Sequence, residues 1–445
     1  MSRQTAGHHS KINSVRVRNA RSLRGEVKPP GDKSISHRSV MLSAISNGQC
    51  LISNFATSVD CLSTIKCFRQ LGVLIDQDGN RLKVDGVGKR GLRHASGPLD
   101  CGNSGTTMRL ISGLLVGQQF ESTLIGDESL SKRPMRRIIE PLTEMGAHIE
   151  SSDGNAPLRI SGGRLKPIRY EMPVASAQVK SSVLLAGLFA DGCTQVIEAT
   201  PTRDHTERML RGFGVDITTE TIADGLTEIS LSGDAELSAR DIQVPGDISS
   251  AAFFIVAAGC LPASELRIVN VGINPTRSAI IDTVREFGVS VELGNVREAT
   301  GEPVADLVVR GGVTQNAEPN LLQGSVIPNL IDEIPILAVL GSQLPGGIEV
   351  RGASELRTKE SDRVTSIVTN LRLMGAHVEE FEDGFKVARS DLQGARVSSF
   401  GDHRIAMAFA VAGLLATGET EIDDPNCVEI SFPNFFSALA EVVEQ

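Results

Sequence analysis

No apolar run in this sequence approaches the roughly 20 residues that a membrane span needs, so no membrane partner is expected. The opening, MSRQTAGHHSK, lacks the apolar core of a secretory signal. No CxxC pair occurs, and the seven cysteines (50, 61, 67, 101, 193, 260 and 427) are scattered and odd in number. They read as small hydrophobes in a reducing cytoplasm, not as a disulfide framework. The eight histidines show neither HxxxH nor HExxH spacing, which argues against a metal site. A positive balance is missing too. The net charge of −10 has the wrong sign for a nucleic-acid binder. Against that average, local clusters of Lys and Arg carry information.

The 445 residues are too many for one core, so two domains are expected. The sequence also repeats itself. Six segments share one shape: a polar or Gly-containing turn, an apolar helix, then a Gly near a new strand. Their anchors are Asp32, Asn103, Ala175, Asp247, Asp332 and Asp402, spaced by 71, 72, 72, 85 and 70 residues. A second helix follows in each of the first five units and stops at Gly72, Gly146, Gly214, Gly288 or Gly375, each fitting a left-handed helix cap. The sixth unit has its second helix, FPNFFSALAEVV, but no strand after it. The N-terminal run INSVRVRNA is a candidate for the missing strand, which would interlock the two ends of the chain.

The first helices of the repeats, such as SSVLLAGLF, SAAFFIVAAG and RIAMAFAVAGLL, are apolar nearly all round. A helix apolar on every face is buried on every face. Three units per domain would place three buried helices in each, with polar starts reaching water at one end only. Helix N-termini offer free N–H groups and a partial positive charge, so such a cluster suits an anion. Two facing domains would bring six starts to one cleft.

The six turns are chemically unequal. The first carries Lys33, Ser34 and Arg38; the second Asn103, Gly105 and Arg109; the third Ser176, Ala177, Gln178 and Lys180. The fifth carries Asp332, and the sixth Asp402, His403 and Arg404. Three loops add Lys132, Arg133, Arg136 and Arg137; Arg203, His205 and Arg208; and Arg357, Lys359, Glu360 and Arg363. Taken singly, a Ser or Asp at a helix start is a cap. Glu360 and Arg363, three apart, would be a surface pair worth a few tenths of a kcal/mol. Capping alone does not require a different functional group in each copy. GEVKPPGDKS fails as a nucleotide-binding loop, because five residues separate Gly25 from Gly31 and Asp32 precedes Lys33.

The motifs PGDKSISHR, GNSGTTMR, KRPMRR, SAQVK, RDHTE, NPTR, DEIP, KESDR and GDHRIAMA occur in that order. With them the chain resembles the enolpyruvyl transferase family from about Ile12 onward, and GDKS, SAQVK, RPMRR, RDHTE and NPTR together resemble its branch called class II. The resemblance implies an α/β (α+β) fold of two domains, each of three βαβαββ repeats around buried parallel helices, an inside-out α/β barrel. The second domain would span 31–245. The first would join 1–30 to 246–445, with hinges near 28–31 and 243–246. The implied reaction moves the enolpyruvyl group of phosphoenolpyruvate to the 5-hydroxyl of shikimate 3-phosphate, with no metal or organic cofactor.

By the same resemblance, Lys33, Ser34, Arg38, Ser176, Ala177, Gln178, Arg203, Asp332 and Lys359 would hold shikimate 3-phosphate. Lys33, Asn103, Gly105, Arg133, Gln178, Glu360, Arg363 and Arg404 would surround phosphoenolpyruvate. Asp332 would be the base, Glu360 the proton shuttle and Lys33 the electrostatic stabiliser. Gly105 leaves room for glyphosate as a competitive inhibitor. A Lys that another branch places near the C-terminus corresponds here to Ile430. A cytoplasmic monomer is implied, and His37 is expected to be structural. The sibling acting on UDP-N-acetylglucosamine has Asn after the first-turn Lys and a reactive loop Cys; this chain has Ser34, and SLSKRPMRR lacks Cys. A DNA-encircling clamp would need basic repeated helices, and a non-catalytic anion binder would not need Asp332 and Glu360.

Overall fold

The computed structural model describes residues 14–313 and 318–445; the opening segment 1–11 lies outside them. Six helices correspond to the six apolar segments: α1 (Lys33–Ala44), α2 (Gly105–Leu115), α3 (Ala177–Gly187), α4 (Ile248–Cys260), α5 (Ile334–Gly341) and α6 (His403–Leu415). Every residue of α5 is buried, as are all of α4 except Cys260 and all of α6 except Leu415. In α1 to α3 the residues that escape full burial lie near the N-terminus: Lys33 and Ser34, Thr106 and Arg109, Ala177 and Gln178. The buried-helix reading therefore holds, and the polar ends emerge where the repeat predicts.

Each repeat has one small sheet, and there are six sheets among the described residues. Where a unit is complete, its first strand runs parallel to its second, and two antiparallel strands follow, as in Leu99–Asp100, Glu121–Ile125, Asn155–Ser161 and His148–Ser152. The five repeat-ending glycines have φ between +82° and +99°, the left-handed conformation that releases each outer helix into a strand.

The chain exchanges strands between units. Strand β1 (Ser14–Arg18) pairs antiparallel with Glu419–Asp423 and so supplies the sixth unit. Strand β2 (Ser22–Val27) lies parallel to Glu265–Gly272 of the fourth unit, and β3 (Ile242–Gln243) lies parallel to Asn47–Ser53 of the first. Two hydrophobic cores result. One draws on residues 35–244, here the central lobe; the other draws on 17–27 and 248–442, the terminal lobe. The chain crosses between them at two Pro-Gly-Asp turns that face each other. Asp32 N–H donates to the Pro245 carbonyl at 2.7 Å, and Asp247 N–H donates to the Pro30 carbonyl at 2.9 Å.

Candidate active site

All six inner helices send their starts into one cleft between the lobes. Its lining includes Lys33 of α1, Gly105 of α2, Gln178 of α3, Asp247 before α4, Asp332 before α5, and His403 and Arg404 of α6. Ten Lys and Arg against five Asp and Glu line it, an excess of positive charge in a chain whose net charge is −10. Such a cleft favours a polyanion. A second cavity shares Arg133, Pro134, Thr358, Lys359 and Glu360 with the cleft and adds Asp127, Glu128 and Lys132 of the central lobe and Arg357 and Asp362 of the terminal lobe.

The caps explain which side chains are left free. In three units the capping residue is one position later than the repeat anchor: Ser104, Ser176 and Glu333. Asp332 therefore does not cap α5. Its Oδ2 accepts from Arg203 Nη2 at 2.6 Å, and its Oδ1 lies 3.5 Å from Arg363 Nη1. Arg404 Nη2 stands 3.7 Å from Oδ2, and Arg404 Nη1 donates to the Asp332 backbone carbonyl at 3.0 Å. Burial alone would raise the Asp332 carboxyl, but Arg404, Arg203, Lys359 and Arg363 outweigh it and hold it well below the usual carboxylate range.

Glu360 and Arg363 correct the surface-pair reading. Arg363 is only 1% exposed, and its Nη2 donates to Glu360 Oε2 at 2.6 Å while its Nε donates to Asp402 Oδ2 at 2.8 Å. Asp402 both caps α6 and anchors this guanidinium. Burial opposes ionisation of Glu360, yet Arg363, Arg133 and Lys33 hold it well below its ordinary value. Asp332 and Glu360 keep 17% and 19% of their side chains exposed, so both remain open to a ligand.

Lys33 donates to Asp60 at 3.0 Å. Burial would lower its pKa, but Asp60 and Glu360 raise it, so it stays a cation. Arg38 donates to the hydroxyls of Thr206 and Ser181 at 2.7 and 2.8 Å; burial brings it down to about 10. Gln178 bridges α3 to α2, its Oε1 accepting from Arg109 at 2.7 Å and its Nε2 donating to Thr106 at 2.9 Å. Lys359 donates to Glu355 at 3.1 Å on the cleft rim. Ser34, Ser176 and Ala177 line the same wall.

Asn103 is the exception among the expected residues. It is not in the cleft lining; its Oδ1 accepts from Arg133 Nη2 at 2.8 Å and its Nδ2 donates to Asp127 at 2.8 Å. Its place is to hold Arg133, because Ser104 takes over the cap and turns Asn103 outward. At Gly105 an added Cβ would lie 2.7 Å from Arg109 Nη1 and 3.7 Å from Arg133 Nη1. The missing side chain is what lets the Arg109 guanidinium approach the α2 start.

Sequence reasoning left Asp60 and Arg277 out of the site. Asp60 looks like the ordinary acidic residue of an outer helix's first turn. Arg277 was visible within NPTR but belongs to no helix start. It is buried, with Asp247 at 3.2 Å, Glu333 at 3.5 Å and Asp32 at 3.9 Å around its guanidinium. His37 is fully buried, its Nδ1 2.7 Å from the Thr64 hydroxyl, and burial together with Lys33 and Arg38 holds its pKa well below the ordinary value.

The sequence profile of the EPSP synthase family (3-phosphoshikimate 1-carboxyvinyltransferase) matches residues 17–439. This chain belongs to the EPSP synthase family. A relative from Geobacillus kaustophilus named 3-phosphoshikimate 1-carboxyvinyltransferase is 49% identical over 430 residues, covering 96% of this chain and 99% of that protein. Its counterpart of the same name from Geobacter metallireducens is 49% identical over 434 residues, covering 97% and 99%. A solved EPSP synthase from Acinetobacter baumannii superposes with a TM-score of 0.84 at 41% identity, covering 97% of this chain and 98% of that one. The EPSP synthase fold thus accounts for the six repeats and the two lobes described above.

Proposed function

We propose that this enzyme transfers the enolpyruvyl group of phosphoenolpyruvate to the 5-hydroxyl of shikimate 3-phosphate, releasing phosphate, as a transferase of aromatic amino acid biosynthesis. One observation carries the reading beyond the family name. Cations at the central-lobe helix starts face Asp332 and Glu360 of the terminal lobe across a single cleft. Lys33, Ser34, Arg38, Ser176, Ala177, Gln178, Arg203 and Lys359 hold shikimate 3-phosphate. Lys33, Arg133, Gln178, Arg363 and Arg404 surround phosphoenolpyruvate, with Gly105 leaving it room and Asn103 steadying Arg133.

In the addition step Asp332 accepts the proton of the 5-hydroxyl as its oxygen bonds to C2 of phosphoenolpyruvate, and the C3 methylene gains a proton from Glu360. In the elimination step Glu360 takes a proton back from C3 as the C2–phosphate bond breaks, and the proton held by Asp332 leaves with the departing phosphate. Each acid–base group contributes about 10²–10⁴-fold. Lys33 and the guanidinium groups stabilise charge on the phosphate and the tetrahedral intermediate. The free site holds both carboxylates ionised. Bound phosphate and carboxylate groups would engage the same cations, so substrate binding raises the basicity of Asp332 and favours the protonated form of Glu360.

The division into 31–245 and 1–30 with 246–445, membership of the class II branch, a monomeric cytoplasmic enzyme and inhibition by glyphosate belong to the same proposal. The deciding assay follows phosphate release from phosphoenolpyruvate with and without shikimate 3-phosphate. Release should require both; release indifferent to shikimate 3-phosphate would refute the reading. Turnover unaffected by glyphosate well above the phosphoenolpyruvate concentration would remove the inhibitor assignment.

A further inference from the structure

The segment after Arg203 makes a buried polar contact between the lobes that the chemistry above does not use. Two strands of the terminal lobe, β4 (Ser290–Ala299) and β5 (Glu302–Arg310), form a long hairpin. Its tip lies against the central lobe. Thr300 Oγ1 accepts from Gln243 N–H at 3.0 Å, and the Gly301 carbonyl accepts from Arg208 Nη1 at 3.1 Å. At the base of the tip, Glu302 Oε1 pairs with His205 Nδ1 at 2.8 Å, and Glu302 Oε2 accepts from Asn274 Nδ2 at 2.8 Å.

Asn274 joins this pair to the residue next to Arg203. Its Nδ2 also donates to Asp204 Oδ1 at 2.6 Å, and Thr276 donates to the same oxygen at 3.2 Å. His205, Glu302 and Asn274 are each no more than 3% exposed. The central lobe contributes Asp204 and His205; the terminal lobe contributes Asn274, Thr276 and Glu302. Thr206, next in sequence, accepts from Arg38. Arg203 itself sits on a loop outside regular structure and reaches Asp332 across the cleft. The register of that loop against the terminal lobe is thus set immediately beside it, by buried groups that have no water to fall back on.

We propose that Glu302, Asn274 and His205 are positioning residues for Arg203. They clamp Asp204 and His205 to the terminal lobe so that the Arg203 guanidinium is held at the Asp332 carboxylate. The proposal rests on the reading of Arg203 as a ligand of shikimate 3-phosphate. It makes the hairpin tip a determinant of affinity for that substrate, while the phosphoenolpyruvate side of the cleft is untouched.

The test is a double-mutant cycle in steady-state kinetics, with melting temperatures confirming folded protein. Glu302→Ala should raise KM for shikimate 3-phosphate about tenfold, with KM for phosphoenolpyruvate and kcat within about threefold. Asn274→Ala should move the same constant in the same direction, and with Glu302→Gln it carries the test if Glu302→Ala does not fold. Placed on Arg203→Ala, Glu302→Ala should change KM for shikimate 3-phosphate by less than about twofold, because its effect runs through Arg203. A further tenfold loss on that background, or equal shifts for both substrates, overturns the proposal and leaves a structural contact. If Arg203→Ala alone leaves KM for shikimate 3-phosphate unchanged, the ligand reading of Arg203 fails and the proposal falls with it. If Arg203→Ala weakens binding but Glu302→Ala and Asn274→Ala do not, the proposal fails and that reading stands.

Discussion

The two lobes repeat one architecture but fill it differently. The inner helices of the central lobe bury hydroxyls, among them Ser39, Ser43, Thr107, Ser112, Ser181 and Ser182, whereas those of the terminal lobe bury mainly Ala, Phe, Ile, Val and Leu. In the central lobe a chain of hydrogen bonds ties three helices together. His37 meets Thr64 at 2.7 Å, Thr64 meets Thr107 at 2.7 Å, and Thr107 donates to Ser104, the cap of α2, at 2.8 Å. Such bonds are directional and fix the helix starts relative to one another. The terminal lobe relies on close apolar packing and brings Asp332 and Glu360 instead. The contrast frames a division of labour to be tested: the hydroxyl-tied lobe as a holder of substrate anions, and the apolar lobe, which adds Lys359, Arg363 and Arg404 to the cleft, as the carrier of the proposed acid–base pair Asp332 and Glu360.

The largest test of that division is in turnover. Asp332→Asn and Glu360→Gln should each lower kcat by about 10²–10⁴-fold. Shikimate 3-phosphate should still bind to both variants by titration calorimetry. Near-normal turnover in either would end the acid–base assignment, and loss of binding equal to the loss of turnover would erase the distinction between the lobes.

Acid should expose a likeness between them. His37 in the central lobe and His403 in the terminal lobe are both depressed, first by burial and then by Lys33, His403 to about 3. Between that value and 6.5 the unfolded chain binds a proton that the folded chain refuses, so stability is retained above pH 6.5 and lost as pH falls. Between pH 7 and 5 His403 should remove about 2 kcal/mol, and His37 acts in the same direction. Denaturant melts at pH 7 and 5 read this loss, and His37→Asn should flatten the slope. An unchanged slope in that variant would locate the acid sensitivity elsewhere.

Packing gives a smaller contrast. A Cβ on Gly113 would sit 2.3 Å from the Ser182 carbonyl oxygen, whereas one on Gly341 would sit 3.0 Å from the Ile348 side chain. Gly113→Ala should therefore cost about 2 kcal/mol and Gly341→Ala less than about 1, by chemical denaturation. Equal costs would mean that the central-lobe helices yield as easily as the terminal ones. Narrowest in scope is Gly105→Ala, which should weaken phosphoenolpyruvate about tenfold and glyphosate more, read as KM and inhibition constant. Equal weakening of the two would show that the α2 start does not discriminate by length.

Much of this was legible in the chain itself. Buried helices announce themselves by being apolar on every face, and the glycine after each outer helix marks where the backbone must turn left-handed. Lys33 and Asp332 could be found because they interrupt that apolar pattern with a different group in each copy, while Arg203 and Glu360 lie in loops whose roles came from the family resemblance. Arg277 and Asp60 could not, because their meaning lies in partners supplied by another unit. The same is true of Glu302 and Asn274, whose positions on a strand and a loop say nothing until the hairpin tip meets His205. The shift of the caps to Ser104, Ser176 and Glu333 was also hidden, since a one-residue change in a helix start leaves the periodicity intact.

The exchange of β1 into the last sheet sets a timetable for biosynthesis. Arg18 meets Glu419, 401 residues later. At about 5–20 residues per second a ribosome needs roughly 20–80 s to deliver that partner. During the wait the central lobe can close around its own core, while the earliest strand stays unpaired and must be kept from other edges. Nascent chains arrested near residue 300 should accordingly resist protease across the central lobe and be clipped within β1. A strand made so long before its partner is among the last to find its place.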